Sequence, residues 1–481
     1  MISDRPCKGL NMRFAPWRGI AVAICLGLPA RDTTADNPSP REPAAVQLAT
    51  FSADITPALG EIIDTGMEEN GSRARIIDHP ILAKGIVLKD AGGVYVLCAF
   101  DWANICNESH DAARERLADA AGTTASRVAV QTLHLGTAPA MDATSQRILD
   151  QVPGAPATSG GTAYFGKSMA AVVSAVREAM KRLQPVTHVG AGFAPADRLA
   201  SSRRIRLPDG TIGTRLTSCK DPTGQMWPEG TIDGFVRTVS FFNDDRPLAA
   251  LHYYAVHPIS HYGDGRVTYD VAGLARERLQ KETGVFQVYF SGCACDVAFG
   301  KYNDGALSNR EPLADRLHDA MLRSFNAIPE RQAVAPVRWK SVELRLGPRR
   351  EPEFSETVCR KTLEDATAKP VPRIKAAMML AFIERMRSGK PLDLSCLTMG
   401  SVKILNLPGE MFVEYQLFAQ RAAPPGTFVA VASFGDCATQ HVCTNEAYSD
   451  RGGYEQTWCF VEPSEEILKE AIREALQDSG R

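Results

Sequence analysis

The sequence lacks an excess of basic charge. Its 481 residues include 54 Lys and Arg against 56 Asp and Glu, which gives a formal net charge of −2. A protein that binds a nucleic acid needs surplus Lys and Arg to neutralise phosphates. We therefore predict no nucleic-acid partner. A hydrophobic content of 44% is typical of a globular chain with a large core.

Long hydrophobic runs are also missing, because no segment approaches the roughly 20 apolar residues of a membrane-spanning helix. The apolar run at residues 19–28 is only about half that length, and Arg13 and Arg18 precede it. This order is typical of an export signal. A buried core helix is the alternative interpretation.

These features divide the chain into three parts. We predict a signal peptide over residues 1–35, a disordered linker rich in Pro and charge over 36–50, and a single large catalytic domain over 51–481. Export would make the protein secreted or periplasmic. Both Met1 and Met12 remain candidate start residues.

Several common motifs are absent. The 12 cysteines include no paired CxxC spacing of a structural zinc site, so we do not predict zinc bound by cysteines. Their disulfide pairing cannot be deduced from the sequence. The chain contains no GxGxxG motif, no P-loop and no internal repeat.

The pattern of hydrophobic residues predicts an α/β fold. Apolar runs of strand length alternate with amphipathic helices, of which residues 167–183 are the clearest. We expect mixed β-sheets flanked by helices, with the site at the strand ends. Two segments rich in Gly and Pro, 142–163 and 219–231, are predicted to be long loops that shape a binding pocket.

Protic side chains follow the predicted strands. Pro258 comes directly after His257, so His257 and His261 cannot be two ligands one turn apart in a helix. Two or three imidazoles and a carboxylate are the ligands of a catalytic zinc ion with an open position. The strand-end candidates are Asp101, His134, His257, the run from Ser291 to Asp296 with Cys293 and Cys295, Glu410, Asp436 and His441.

Each candidate also has a structural interpretation. His134 is compatible with an ordinary loop, His441 with the surface and Asp296 with the cap of a turn. Glu410 is predicted in the first turn of a helix at 410–420, where the helix dipole favours a carboxylate. Four other histidines are interpreted as structural or surface residues: His110, His252, His261 and His318.

Four segments resemble the catalytic domain of neutral (non-lysosomal) ceramidases, which are zinc-dependent amidases that split the N-acyl bond of sphingolipids. Residues 51–57 are similar to the "ADIT" segment of the family, 255–258 to "AVHP", 132–139 to "THTHSGP" and 407–410 to "VPGEF". The resemblance extends to Glu455. We expect no C-terminal immunoglobulin-like domain of the kind that full-length ceramidases have.

The resemblance implies a Zn²⁺ cofactor held by His134, His257 and Glu410. The fourth ligand of the family is a tyrosine in a segment of the form "SNVYTHY", and this position falls on His441 here. An imidazole in place of a phenolate changes the charge of the metal shell by one unit.

The resemblance also implies catalytic residues, although two family positions differ. Arg203 corresponds to an active-site arginine that would stabilise an oxyanion, and Tyr454 to a second tyrosine of the pocket. The second histidine of "HTH" is Gly136 here. The family serine falls on Gly292, where only the neighbouring Ser291 could replace it. From their positions at strand ends, Asp296 or Asp436 is expected to orient a ligand or move a proton.

Together these observations predict an exported zinc-dependent hydrolase, an amidase acting on a ceramide-like or other N-acyl substrate. The alternatives are a non-catalytic descendant that binds a lipid or glycan, and a metal hydrolase of esters or N-acyl glycans. The partner is a small-molecule or lipid-like substrate. Peripheral membrane contact stays open, and the sequence does not predict the oligomeric state.

Overall fold

The computed structural model of the chain describes residues 46–63, 72–160 and 163–477. The predicted signal peptide lies outside the described residues. The first strand, Val46–Asp54, begins before the predicted domain boundary at Phe51. Val46 and Leu48 are buried, so residues 46–50 belong to this strand rather than to the predicted linker.

Three sheets of four or five strands dominate the described residues. The first sheet has the spatial order Gln184–Val186, Val46–Asp54, Leu82–Asp90, Gly93–Phe100 and Val128–Thr132. The second has the order Phe286–Ser291, Arg246–Tyr254, Phe235–Asn243, His188–Pro195 and Arg331–Ala333. The third has the order Arg338–Leu344, Leu392–Met399, Val402–Asn406 and Phe428–Ala432.

Six two-stranded pairs complete the strands of the described residues. They are Ile62–Ile63 with Ser72–Arg73, Ile76–Ile77 with Arg266–Val267, Asn104–Ile105 with Ala140–Met141, Ser201–Ser202 with Val297–Ala298, Arg204–Arg206 with Ile212–Thr214, and Glu410–Met411 with His441–Val442.

Ten α-helices lie within the described residues. They are α1 Asn107–Ala121, α2 Ala143–Asp150, α3 Ala163–Met180, α4 Pro222–Met226, α5 Asp270–Thr283, α6 Arg310–Asn326, α7 Glu356–Glu364, α8 Pro370–Arg387, α9 Val413–Ala422 and α10 Glu465–Leu476. Across this described part of the chain, no helix combines the length and the apolar character that crossing a membrane requires.

The three sheets share one topological feature that positions the site. Each is antiparallel except for one pair of parallel strands at an edge. The two strands of each parallel pair are connected through a helix, which is α1 in the first sheet, α5 in the second and α9 in the third. Parallel strands place their carboxyl ends at the same edge of a sheet, where binding residues concentrate.

This architecture confirms the predicted α/β class with mixed sheets flanked by helices. The predicted helix at 167–183 is α3, whose Met169, Val172 and Val176 are buried. The prediction for Glu410 was wrong, because α9 begins only at Val413.

A buried ion pair connects the first sheet to α5. Arg276 of α5 donates from Nη1 and Nη2 to the two carboxylate oxygens of Asp101, at 2.8 and 2.9 Å. Both side chains are fully buried. The strand-end candidate Asp101 therefore has a structural partner, and the bidentate geometry compensates for the loss of water around both charges.

Removing one partner of this pair tests its importance. We expect Arg276→Met to lower the free energy of unfolding by about 3–5 kcal/mol, because it leaves a buried carboxylate without its counter-charge. Arg278→Met is the matched control on the same helix, since Arg278 pairs at the surface with Glu311 and Asp315. The control should change stability by about 1 kcal/mol or less in urea denaturation. Equal effects of the two substitutions would contradict this interpretation.

Candidate metal centre

Three imidazoles converge on one carboxylate oxygen. The Nε2 atoms of His134, His257 and His441 lie 3.4, 3.7 and 3.6 Å from Oε2 of Glu410. All four side chains are buried. The structure thus brings together four residues that are far apart in the sequence.

His134 is held in a strained backbone conformation. It lies two residues beyond the strand Val128–Thr132 and has a φ of 61°. The N–H of the preceding residue, Leu133, donates to the carbonyl of Phe100 at 2.9 Å. The imidazole of His134 stacks on the ring of Phe434. A positive φ at a residue other than glycine persists only where the surroundings fix it. These contacts fix the direction of the His134 side chain.

His257 follows the strand Arg246–Tyr254, which lies next to the edge strand Phe286–Ser291 of the second sheet. Its N–H donates to the carbonyl of Val297 at 2.9 Å. Pro258 restricts the backbone of His257 to extended conformations and excludes a helix here. The imidazole packs edge-on against that of His134, with ring centroids 4.7 Å apart.

Glu410 and His441 face each other as partners in a short pair of parallel strands. The N–H of Glu410 donates to the carbonyl of Gln440 at 3.0 Å. Gly409 precedes it with a φ of 72°, and a Cβ there would collide with Oγ1 of Thr439. This strand pairing explains why no helix begins at Glu410.

The second ring nitrogen of each imidazole is committed to the main chain. His134 Nδ1 lies 2.9 Å from the carbonyl oxygen of Ala103, His257 Nδ1 lies 3.1 Å from that of Val297, and His441 Nδ1 lies 2.8 Å from that of Glu455. A carbonyl oxygen only accepts, so each Nδ1 carries a proton. Metal-ligating histidines commonly donate their other ring N–H in this way.

Burial keeps two of these imidazoles neutral. It lowers the pKa of His134 below the usual value. Burial and, after it, the nearby Arg203 guanidinium lower the pKa of His257 to about 3. A neutral imidazole that is protonated at Nδ1 presents a lone pair at Nε2. Lone pairs therefore point towards the carboxylate of Glu410.

The carboxylate at the centre of this cluster fits a metal ion. Oε2 of Glu410 is buried and has no hydrogen-bond partner among the residues that the structure describes. Its separations of 3.4–3.7 Å from the Nε2 atoms agree with the roughly 3.3–3.6 Å expected between tetrahedral zinc ligands with bonds of about 2.0–2.2 Å. A cation bound between these atoms would offset the cost of burying an anion among lone pairs.

The structure adds a residue that the sequence did not predict as a metal ligand. The Sγ atom of Cys295, a carboxylate oxygen of Glu410 and a ring nitrogen of His441 all lie within 4.8 Å of one another. Cys295 is fully buried and is not part of a disulfide. It follows a strand end as the other residues do, but a search for CxxC pairs cannot find a single cysteine.

A cavity of about 180 Å³ opens above the cluster. The segment 142–163, which was predicted to be a long loop, contributes Asp142, Ser145 and Thr158 to the lining of this cavity. Part of that segment is the helix α2. No residue of 219–231 is part of the lining, within the described residues. The apolar lining comes from several elements: Leu135, Met141, Ile259, Ile374, Met378 and Trp458.

Arg203 and Tyr454, two of the four predicted catalytic residues, also line this cavity. Nη1 of Arg203 lies 3.3 Å from Nε2 of His257 and donates to the carbonyl of Cys295 at 3.1 Å. Its Nη2 donates to Oγ1 of Thr217 at 3.1 Å. The guanidinium lies 5.3 Å from the centre of the Tyr454 ring. A fixed positive charge thus lies beside the imidazole cluster.

The next residue, Arg204, contacts His441 indirectly, through Glu455. It forms ion pairs with Glu455 at 2.6 Å and with Asp450 at 2.7 Å. The carbonyl of Glu455 accepts the Nδ1–H of His441. A disulfide between Cys443 and Cys459 closes the segment that contains Asp450 and Glu455, so the positions of these two residues are linked.

The other two predicted catalytic residues are not part of the cavity lining. Ser291 Oγ donates to the carbonyl of Leu133 at 3.0 Å. Asp296 accepts from the N–H of Val413 at 2.9 Å, next to the start of α9. The structure gives both side chains main-chain partners and does not bring them to the cluster.

Asp436, the other predicted strand-end carboxylate, is also outside the lining. It forms an ion pair with Arg385 at 3.1 Å, and Oδ1 accepts from the N–H of Asn107 at 2.9 Å.

Side chains lie close to the two glycines that replace reactive residues of the resembled family. A Cβ on Gly136 would lie 3.2 Å from Cδ1 of Ile259. A Cβ on Gly292 would collide with Oε1 of Gln416, which accepts from the N–H of Cys293 at 3.0 Å. Gln416 therefore occupies the place where a side chain at position 292 would project, whereas Gly136 lines the cavity beside Ile259.

The structure is similar to two solved ceramidases. It matches the crystal structure of neutral ceramidase from Pseudomonas aeruginosa with a TM-score of 0.66 and 16% sequence identity, over 91% of this chain and 76% of that chain. It matches a structure of ceramidase complexed with C2 with a TM-score of 0.64 and 15% identity, over 91% of this chain and 77% of the other. No family model and no curated protein matches the chain. The resemblance to neutral ceramidases is thus confirmed as a likeness in three dimensions, and this chain has the ceramidase fold.

Proposed function

We propose that this protein is an exported zinc-dependent hydrolase that cleaves an amide in a ceramide-like or other N-acyl substrate. The observation that supports it most is the convergence of three Nε2 atoms on the buried, unpartnered Oε2 of Glu410 at the floor of a cavity. The proposed export rests on the signal sequence predicted at residues 1–35.

The proposed zinc ligands are His134, His257, Glu410 and His441. Zinc, when bound, supplies Lewis acidity that activates water and polarises the scissile carbonyl. The chain prepares these ligands by holding each Nδ1 proton on a carbonyl oxygen, so that Nε2 carries the lone pair that coordination uses. Burial favours the neutral imidazoles of His134 and His257, which coordination requires.

Arg203 is proposed to stabilise the negative charge that develops on the carbonyl oxygen during amide cleavage. Its guanidinium lines the cavity and is held by Cys295 and Thr217. A donor that is already oriented needs no rearrangement when charge develops. Tyr454 packs beside Arg203 and is proposed to complete this wall. Asp296 is proposed to act indirectly, by holding the start of α9.

The apolar part of the cavity supports an acyl group as the part of the substrate that it binds. Ile259, Ile374, Met378 and Trp458 form this wall. The similar structures are named as ceramidases, which supports a lipid-like substrate for this chain too. Contact with a membrane surface belongs to the same proposal.

One observation favours a second candidate function, a non-catalytic descendant that binds a lipid or glycan. Gln416 occupies the space beside Gly292, and Gly136 carries no side chain into the cavity, so the reactive side chains implied by the family resemblance have no counterparts there. Such a protein would keep the metal without turning over a substrate.

Metal content tests the proposed ligands. We expect about one equivalent of zinc in the purified protein and less than about half an equivalent in His257→Ala, because loss of one ligand opens the shell. His261→Ala is the control, since His261 contacts Gly305 and Asp264 outside the cluster and should leave zinc unchanged. Zinc content that is the same in all three proteins, by elemental analysis, would contradict the ligand assignment.

Turnover separates the two candidate functions. We expect release of fatty acid from at least one member of a panel of N-acyl sphingoid and other N-acyl amides by the zinc-loaded protein, because its cavity combines the cluster with an apolar wall. Esters and N-acyl glycans in the same panel test the third alternative. No product from any substrate at full zinc occupancy would favour the binding protein.

Arg203 provides a further test. We expect Arg203→Met to lower kcat by about 10²–10³ if the guanidinium stabilises developing charge, with zinc content close to that of the unchanged protein. Steady-state kinetics beside elemental analysis measures both. A variant that loses zinc in proportion to its activity would show that Arg203 only supports the cluster.

A further inference from the structure

We propose that Cys295 binds the same metal as a thiolate, as a ligand in addition to the three imidazoles and Glu410. This inference rests on the proposed function, because it requires a metal in the cluster. The Sγ atom of Cys295, a carboxylate oxygen of Glu410 and a ring nitrogen of His441 lie within 4.8 Å of one another. All three residues are buried.

The main chain fixes the position of Cys295 relative to the cluster. Its N–H donates to the carbonyl of Met411 at 3.0 Å, and Met411 adjoins Glu410. Its own carbonyl accepts from Nη1 of Arg203 at 3.1 Å, which also reaches Nε2 of His257. Hydrogen bonds therefore connect Cys295 to the neighbour of Glu410 and to the arginine beside His257.

A second observation points to a cation beside this sulfur. Oε2 of Glu410 is buried without a hydrogen-bond partner among the described residues. A buried free thiol and a buried carboxylate within 4.8 Å of each other form a donor set that suits zinc, because thiolate, imidazole and carboxylate all coordinate it. A dication would be neutralised by one carboxylate and one thiolate.

The sulfur approaches from the protein interior. Cys295 is not part of the cavity lining, whereas His134, His257, Glu410 and His441 are. Coordination by Cys295 therefore leaves the cavity side open for water or substrate. When the bond from Sγ to the metal forms, the thiol proton leaves to the solvent, so one more proton is released than with neutral imidazoles and a carboxylate alone.

X-ray absorption at the zinc edge tests this on the unaltered protein. We expect one sulfur neighbour at about 2.3 Å beside nitrogen and oxygen neighbours at about 2.0–2.2 Å. A first shell of nitrogen and oxygen alone in a zinc-loaded protein would overturn this inference and leave the proposed function standing. Absence of bound zinc would overturn both.

Cobalt substitution with a matched pair of variants assigns the sulfur. Cobalt(II) should give a near-ultraviolet sulfur-to-metal charge-transfer band that Cys295→Ser abolishes while cobalt remains bound. Cys293→Ser is the control, because Cys293 is also a fully buried free cysteine but lies outside the metal-binding groups. Zinc affinity should fall by about 10- to 100-fold or more in Cys295→Ser. A band that persists in Cys295→Ser would overturn the assignment.

Discussion

The site depends on one electrostatic constraint. A buried carboxylate oxygen faces the unprotonated nitrogens of imidazoles whose protons are on the other ring nitrogen. Each Nδ1–H of His134, His257 and His441 donates to a main-chain carbonyl, so the Nε2 lone pairs and Oε2 of Glu410 converge. Acceptors that face each other in the protein interior are destabilising unless a cation lies between them. We infer that the surrounding structure is organised to hold that cation.

The fold satisfies this constraint by bringing together the ends of strands from three sheets. His134 follows the first sheet, His257 the second and Glu410 the third, each beside a parallel strand pair that is connected through a helix. Loops between these ends supply the carbonyls that orient the imidazoles. The ion pairs of Arg204 and the Cys443–Cys459 disulfide hold the segment that positions His441. Rigid strands and their cross-links thus give the site its geometry.

The sequence predicted the layered α/β fold, because strand periodicity is a local signal. The family resemblance pointed to the four residues that the structure brings together. The predictions from sequence failed at positions whose structure is determined by contacts between distant parts of the chain. The main chain of Glu410 pairs with Gln440 and not with a helix turn, and the apolar wall from Ile374 and Met378 depends on the packing of α8. Cys295 was missed because its relation to Glu410 exists only in three dimensions. Ser291 was predicted as a catalytic residue only because it adjoins Gly292 in the sequence, but its side chain donates to the carbonyl of Leu133.

The central claim is that a metal ion lies among these four side chains. Anomalous diffraction from crystals grown with zinc, recorded on both sides of the zinc absorption edge, tests it most directly. The account predicts one strong peak about 2.0–2.2 Å from Nε2 of His134, His257 and His441 and from Oε2 of Glu410. Well-ordered density for the four side chains without any anomalous peak between them would contradict it.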